Sequence, residues 1–302
     1  MTRRLILLDV ARGLAVAAMF AFHFTWDLGH FRYIDPAMPY APAFKLFGHS
    51  IAATFLFVAG VSLALAHVVF RPRAYFRRLA AITAAAALVT VATWLAFPSA
   101  FVFFGILHCI AAASLLALPF LLLPAAAALL AGAALAAAPI FARDAFFDAP
   151  LWWWTGLSTF EPLANDYRPV TPWAGVLVLG VGAAKLARSR LRAADGEARP
   201  GAATRGLAFL GRHSLALYLL HQPLLFAGFS ALALALPQEH SAGFAEACLA
   251  RCVASGASAT TCRAACDCTA REIERRDALA GAASEAERRS RIDAIARACV
   301  AQ

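Results

Sequence analysis

Asp9, Arg12, His23 and Asp27 stand within one otherwise apolar stretch, DVARGLAVAAMFAFHFTWD. A histidine followed one helical turn later by a carboxylate suits a general base whose ring is oriented and whose cation is stabilised. An arginine can hold phosphate through charge-assisted hydrogen bonds. On a helix, positions eleven apart differ by only about 20° after whole turns, so Arg12 and His23 share a face about 16 Å apart along the axis. Asp9 and Asp27 extend that face by one turn at either end. Charge within hydrocarbon costs about 2.5–3.5 kcal/mol per group on insertion scales, so such a stripe faces protein and does work.

The element that must carry this stripe is a membrane helix. The chain has 302 residues, 62% hydrophobic and 15% charged, with mean hydropathy +0.68. Soluble domains contain about 45–50% apolar and about 25% charged residues, which this composition excludes. Repeated apolar runs of about 20 residues point to spanning helices, whereas β-barrel strands would show alternating segments of about 10. The fold class is therefore an all-α integral membrane protein. A cleaved signal peptide over residues 5–22 is disfavoured, because Asp9 and Arg12 interrupt its apolar region and further spans follow.

About seven transmembrane helices are expected, near residues 5–28, 46–70, 79–97, 101–118, 122–142, 170–187 and 207–236. Pro36, Pro39, Pro42, Pro98, Pro119, Pro124 and Pro237 mark breaks between them. The fourth and fifth could also merge into one span in the bilayer. The net charge of +9 comes largely from arginines beside the spans, Arg3–Arg4, Arg71–Arg78 and Lys185–Arg205. The positive-inside rule puts these loops and the N-terminus in the cytoplasm. It leaves Asp35, Asp144, Asp148, Glu161 and Asp166 outside, with the Trp-rich LWWWTGL loop at an interface. The basic balance thus sets orientation, and no nucleic-acid partner is implied.

Residues 1–237 read as the membrane domain and 238–302 as a Cys-rich helical tail. In the tail, Cys248-x3-Cys252 and Cys262-x3-Cys266 each sit on one helix face. A hairpin stapled by Cys248–Cys266 and Cys252–Cys262 satisfies that spacing, although six tail cysteines allow 15 connectivities. Disulfides suit an oxidising compartment, in agreement with a periplasmic C-terminus. A four-Cys zinc site is the rival reading, with spacing less usual for structural zinc.

Other polar residues fall inside spans. His49 lies at the outer mouth of the second and His108 near the middle of the fourth. Ser214, Tyr218, His221 and Gln222 recur on one face of the last. For His108, Tyr218 or Gln222 the plain alternative is an interhelical hydrogen bond worth about 0.6–2 kcal/mol. For Arg12 it is a snorkelling anchor, and His67 and His213 read as interfacial. A cation near the cytoplasm and a base near the outside, joined along one wall, fit an anionic donor held inside and an acceptor arriving from outside. Acyl-CoA has that shape, and His23 could deprotonate the acceptor or take the acyl group itself.

RLILLDVARGLAVAAMFAFHFTWDL, FLFVAGVSLALAH, FGILHCIAAASLLALPFL, YRPVTPWAGVLVLGV and FLGRHSLALYLLHQP resemble, in order, bacterial relatives of heparan-alpha-glucosaminide N-acetyltransferase. Arg12-x10-His23 is also similar to the Arg-x10-His pattern of the membrane acyltransferase-3 family. The resemblance implies transfer of an acyl group, acetyl above all, from cytoplasmic acetyl-CoA to a periplasmic amino-sugar or sugar hydroxyl of a glycan. It covers about residues 4–228 and leaves out the tail. In the lysosomal enzyme an Asn matches His23 and the catalytic His lies farther along, for which His30 is the nearest candidate here. The resemblance leaves the proton-transfer residue open between His23 and His30; the register with Arg12 and Asp27 favours His23.

The candidate catalytic residues are therefore His23, Asp27 and His30, and the candidate donor-binding residues Arg12, Asp9, His221, Gln222 and His108. No metal site is expected, since H-E-x-x-H is absent and the eight histidines are scattered. The expected location is a bacterial inner membrane, with the lipid bilayer as a partner and homo-oligomerisation left open. Competing readings are a proton-coupled transporter or exporter, since buried Asp, His and Arg also relay protons, and a non-catalytic membrane scaffold.

Overall fold

The computed structural model describes residues 5–35, 37–197, 201–236, 240–275 and 285–300. Arg3, Arg4, Pro36, Arg199 and Pro237, used above to place spans and charge, lie outside the described residues. The described residues are helical, without a strand. They fall into two compact units, one of residues 1–27 and 37–227, the other of residues 28–36 and 228–302.

In the first unit α1 (Ile6–His30, its last turn in the other unit), α2 (Pro42–Ala66), α3 (Pro72–Ala96), α7 (Val170–Glu197) and α9 (Ser214–Ala235, its last two turns in the other unit) contain segments long and apolar enough to cross a membrane. Two shorter apolar helices, α4 (Ile106–Leu116) and α6 (Ala125–Phe141), occupy the regions expected to hold the fourth and fifth spans. The one-turn α5 (Leu118–Leu122) follows α4. The RPRAYFRR segment, expected as a loop, forms the opening turns of α3 with Pro72 in its first turn, where a missing N–H costs nothing. The expected single span over 207–236 is two helices, α8 (Ala202–Arg212) and α9. His213 ends α8 by donating its Nδ1–H to the Phe209 carbonyl at 2.9 Å, satisfying a last-turn acceptor with a side chain.

Contacts between helices set the relative directions of four pairs. Phe22 on α1 packs beside Gly48 of α2 while Arg12 reaches Ser62, so α1 and α2 run antiparallel. Tyr75 bonds the Ser114 carbonyl at 2.7 Å and Thr90 the Val102 carbonyl at 2.7 Å, which sets α3 antiparallel to α4. His49 meets Trp173 at one end of α2 and α7, and Gly60 meets Val181 farther along, so these two run parallel. α6 runs against α7, with Gly182 on Leu129 and Gly175 on Ala136.

The heart of this unit is α7, where Leu177, Val178 and Val181 are wholly buried against Leu56 of α2 and Cys109 of α4. Backbone crosses backbone there: a Cβ on Gly60 would strike the Leu177 carbonyl, and one on Gly180 the Phe57 carbonyl. Small residues at such crossings let membrane helices gain dispersion contacts where no hydrophobic drive exists between apolar surfaces. By contrast, α3 and α9 leave most of their apolar surface outward, as lipid-facing helices do.

The second unit is held by cysteines. Cys248–Cys266 and Cys252–Cys262 staple α10 (His240–Ala254) to α11 (Ala259–Arg275), with the pairing the spacing suggested. A third bridge, Cys268–Cys299, ties α11 to α12 (Glu285–Val300). All six tail cysteines are thus spent, which removes the zinc reading. The turn at Gly256 has φ +95°, a conformation that favours glycine. Cys262, Cys266, Thr269 and Ala270 form its small buried centre.

Candidate functional site

Two sites lie along α1, and the first is a cavity of about 350 Å³ at its N-terminal end. Arg12 projects there because Asp9, one turn earlier, accepts from its Nη1 at 2.7 Å, and the Ser62 hydroxyl accepts from its Nη2 at 2.8 Å. Arg78 of α3, Arg212 of α8 and His67 after α2 complete the polar lining. Three guanidiniums face one carboxylate, so the cavity carries excess positive charge and suits a phosphate-bearing ligand. His67 takes the Arg71 backbone N–H on Nδ1 at 3.5 Å, which leaves Nε2–H as its donor in the neutral ring. Burial, with the Arg78 and Arg71 guanidiniums nearby, holds the His67 imidazole below its ordinary pKa.

The α8 wall of the cavity is set by glycine. A Cβ on Gly211 would strike the Asp9 carbonyl, and one on Gly13 the Leu207 carbonyl, so α8 lies backbone to backbone on the first turns of α1. That close approach brings Arg212 to the cavity that also holds Arg12.

The second site lies eleven residues farther along α1. The His23 ring meets the His221 ring of α9 edge-on, with centroids 4.7 Å apart. His221 Nδ1 lies 2.7 Å from the Tyr218 carbonyl. A carbonyl only accepts, so Nδ1 carries the proton and Nε2 keeps a lone pair. That Nε2 is buried and has no hydrogen-bond partner. Asp27, wholly buried, accepts from Gln222 Nε2 at 3.0 Å, while Asp27 Oδ2 and Gln222 Oε1 have no partner. The carboxylate expected to orient the His23 ring is thus bonded across to α9.

A third group approaches from the loop before α7. Asp166 Oδ2 accepts from the Ile106 N–H at 2.8 Å and so caps α4, and Arg168 Nε lies 3.7 Å from Asp166 Oδ1. The Arg168 guanidinium covers the Trp173 ring at 5.2 Å, and His49 packs on the same ring. Both His23 and Tyr218 lie within electrostatic reach of Arg168. The loop is well anchored: Asp148 accepts from Ser158 Oγ, Thr159 N and Thr159 Oγ1, and Tyr167 bonds the Trp153 carbonyl at 2.6 Å.

Of the residues singled out in the sequence, Arg12 and Asp9 meet at the cavity, while His23, Asp27, His221 and Gln222 meet between α1 and α9. His108 is engaged locally: its Nδ1 accepts the Gly105 N–H at 3.2 Å, and its Nε2 faces Thr90 Oγ1 at 3.1 Å. His30 is the last residue of α1 and belongs to the second unit, its ring beside Phe31. Sequence reasoning missed Ser62, Arg212, Asp166 and Arg168 as site residues, took His67 as merely interfacial, and considered the inner-loop arginines for phosphate without singling out Arg78. Arg78 was visible only as one of a basic cluster, and Arg168 only within the YRPVTPW block.

Residues 4–223 match the profile described as heparan-alpha-glucosaminide N-acetyltransferase, catalytic. No curated protein and no solved structure gives a match. The match spans well over half of the chain and takes in both the arginine-lined cavity and the His23–His221 contact, so the chain belongs to the heparan-alpha-glucosaminide N-acetyltransferase catalytic family.

Proposed function

We propose that this chain transfers an acyl group, acetyl above all, from cytoplasmic acyl-CoA to an amino-sugar or sugar hydroxyl on the far side of a bacterial inner membrane. One observation carries the reading: α1 places Arg12 in a three-arginine cavity and, about 16 Å along the same helix, His23 against His221. Arg12, Arg78 and Arg212 hold the donor's phosphates, with the His67 Nε2–H as a neutral donor beside them. A long thin pantetheine arm matches the axial distance to the histidines.

There the lone pair on His221 Nε2 receives the proton of the attacking N–H or O–H, and the ring is held for this by its bond to the Tyr218 carbonyl. His23, edge-on to it, completes the polar wall and is the second candidate for that proton. Asp27 and Gln222 offer acceptor oxygens to donors on the incoming sugar. Arg168 and Asp166 line the approach next to Trp173 and His49.

The antiparallel pairs α1–α2, α3–α4 and α6–α7, with α2 and α7 parallel, support seven passes. With the arginine-rich ends in the cytoplasm, the donor cavity opens inward and the disulfide-bonded tail lies in the periplasm. The test is acetylation of periplasmic glycan from acetyl-CoA by membranes containing wild type, His23→Ala or His221→Ala. Undiminished transfer by both variants would remove the histidine pair from the mechanism. Absence of acetyl-CoA binding to purified wild type would favour a transporter or scaffold.

A further inference from the structure

The helix that carries His221 turns little of its surface inward. Among the described residues 214–227 of α9, His221 alone is buried. Pro223 inside the helix lacks the N–H that the Leu219 carbonyl would take, so the backbone ladder is weakest beside His221. Tyr218 keys this turn into the unit. Leu217 and Leu219 each reach one buried cluster, whereas the Tyr218 ring packs against all three, those of Leu177, Leu107 and Val16. Its hydroxyl bonds the Asp166 side chain, and its carbonyl holds His221 Nδ1 at 2.7 Å. One residue thus joins the loop before α7 to the imidazole.

Asp166 is itself fixed to a well-packed frame. Its loop is laced to the segment before α4: the Asn165 N–H bonds the Ala100 carbonyl at 2.9 Å and the Arg168 N–H the Phe104 carbonyl at 3.0 Å. Asp166 Oδ2 takes the Ile106 N–H, where a carboxylate also meets the positive end of the helix macrodipole. Gly105 makes room for this, since a Cβ there would stand 2.5 Å from Oδ2. Three residues on, Cys109 is wholly buried in the core that α4 shares with α2 and α7.

We propose that Asp166 is a positioning residue for acyl transfer: through the Tyr218 hydroxyl it fixes the turn of α9 whose carbonyl leaves His221 Nε2 bare. The catalytic consequence rests on the acyl-transfer reading above, whereas the effect on the His221 tautomer rests on geometry alone. Without the Asp166–Tyr218 bond, the turn beside Pro223 loses its polar tie to the start of α4. The imidazole is then free to rotate, and either ring nitrogen can carry the proton.

The test uses the full-length chain in neutral detergent, its histidines labelled with the heavy nitrogen isotope and read by NMR, with His221→Ala marking the signals of His221. Wild type is expected to show one neutral His221 tautomer, protonated at Nδ1. Tyr218→Phe, which keeps the ring and the carbonyl, and Asp166→Ala are expected to show both tautomers. Asp166→Asn, which keeps an acceptor oxygen, should restore the wild-type spectrum. In membranes, Tyr218→Phe should lower kcat for acetyl transfer about 10-fold with KM for acetyl-CoA unchanged, the worth of one hydrogen bond to a charged group. The Asp166→Ala/Tyr218→Phe double variant should be no slower than Asp166→Ala, because both remove one bond. Tyr167→Phe removes the neighbouring hydroxyl, which bonds the Trp153 carbonyl, and should match wild type in both readouts. An unchanged His221 spectrum in Tyr218→Phe, the same disturbance in Tyr167→Phe, or a loss carried by KM overturns the proposal. A wild type that transfers no acetyl group overturns the acyl-transfer reading instead, and the spectra then decide alone whether Asp166 sets the tautomer of His221.

Discussion

The rings of His23 on α1 and His221 on α9 stand edge-on at 4.7 Å, and a backbone carbonyl determines which nitrogen of His221 is bare. The sequence places these residues 198 positions apart. His221→Ala is expected to lower acetyl transfer from acetyl-CoA about 10²–10⁴-fold, the usual worth of a positioned general base. His23→Ala should fall in the same range, and the double variant should lose little more than the worse single one, because the rings act as a unit. Rates multiplying independently would show that they do not.

The arginine cavity predicts a different kinetic signature. Arg78→Gln should raise KM for acetyl-CoA roughly 10–100-fold, the worth of one charge-assisted hydrogen bond, with kcat changed little. An equal loss in kcat with KM unchanged would place Arg78 outside donor binding.

His67 makes stability depend on pH. The folded chain binds the His67 proton more weakly than the unfolded chain does, because of burial and of the nearby Arg78 and Arg71. Between the ordinary imidazole value near about 6.5 and the lowered folded value, the unfolded state therefore holds more protons. Stability from this group is intact above that range and declines as pH falls through it. Melting in detergent should drop more between pH values of about 7.5 and about 5.5 for wild type than for His67→Gln.

The α2–α7 crossing should tolerate no added carbon. Gly60→Ala and Gly180→Ala each push a methyl group into a facing carbonyl, at a cost of about 1–3 kcal/mol. Gly206→Ala meets nothing within 4 Å and serves as the control. Thermal melts of the three variants in one detergent check this, and equal midpoints would mean the helices separate freely there.

Thiol counting tests the tail. Of seven cysteines, six are in disulfides and Cys109 is buried. A maleimide probe should label the native chain negligibly, one site after denaturation, and all seven after denaturation with reductant. Reduction should also loosen the tail, since closing a loop of about 15 residues is worth about 3 kcal/mol.

Residue type and local spacing by themselves determined much of this protein. Apolar length makes α1, α2, α3, α7 and α9 membrane-type helices, because hydrocarbon demands that backbone groups be satisfied within the segment. The Cys-x3-Cys spacing put each cysteine pair on one helix face and made Cys248–Cys266 with Cys252–Cys262 one fitting choice among 15 connectivities, the one the structure has. The α1 stripe was equally legible, since helical periodicity relates residues a few turns apart. Boundaries were less so: Arg71–Arg78 looked like a loop because its charge hides a helical start behind Pro72, and His213 divides what reads as one apolar run.

Contacts between distant segments obey no such rule, and only the tertiary structure decided them. Asp27 lies one turn from His23 in sequence, yet its carboxylate is bonded to Gln222. Arg212 joins Arg12 only because Gly13 and Gly211 let α8 lie against α1, and Arg78 comes from α3. The bare Nε2 of His221 follows from one hydrogen bond to Tyr218. Periodicity fixes which residues share a face, whereas close packing decides which faces meet.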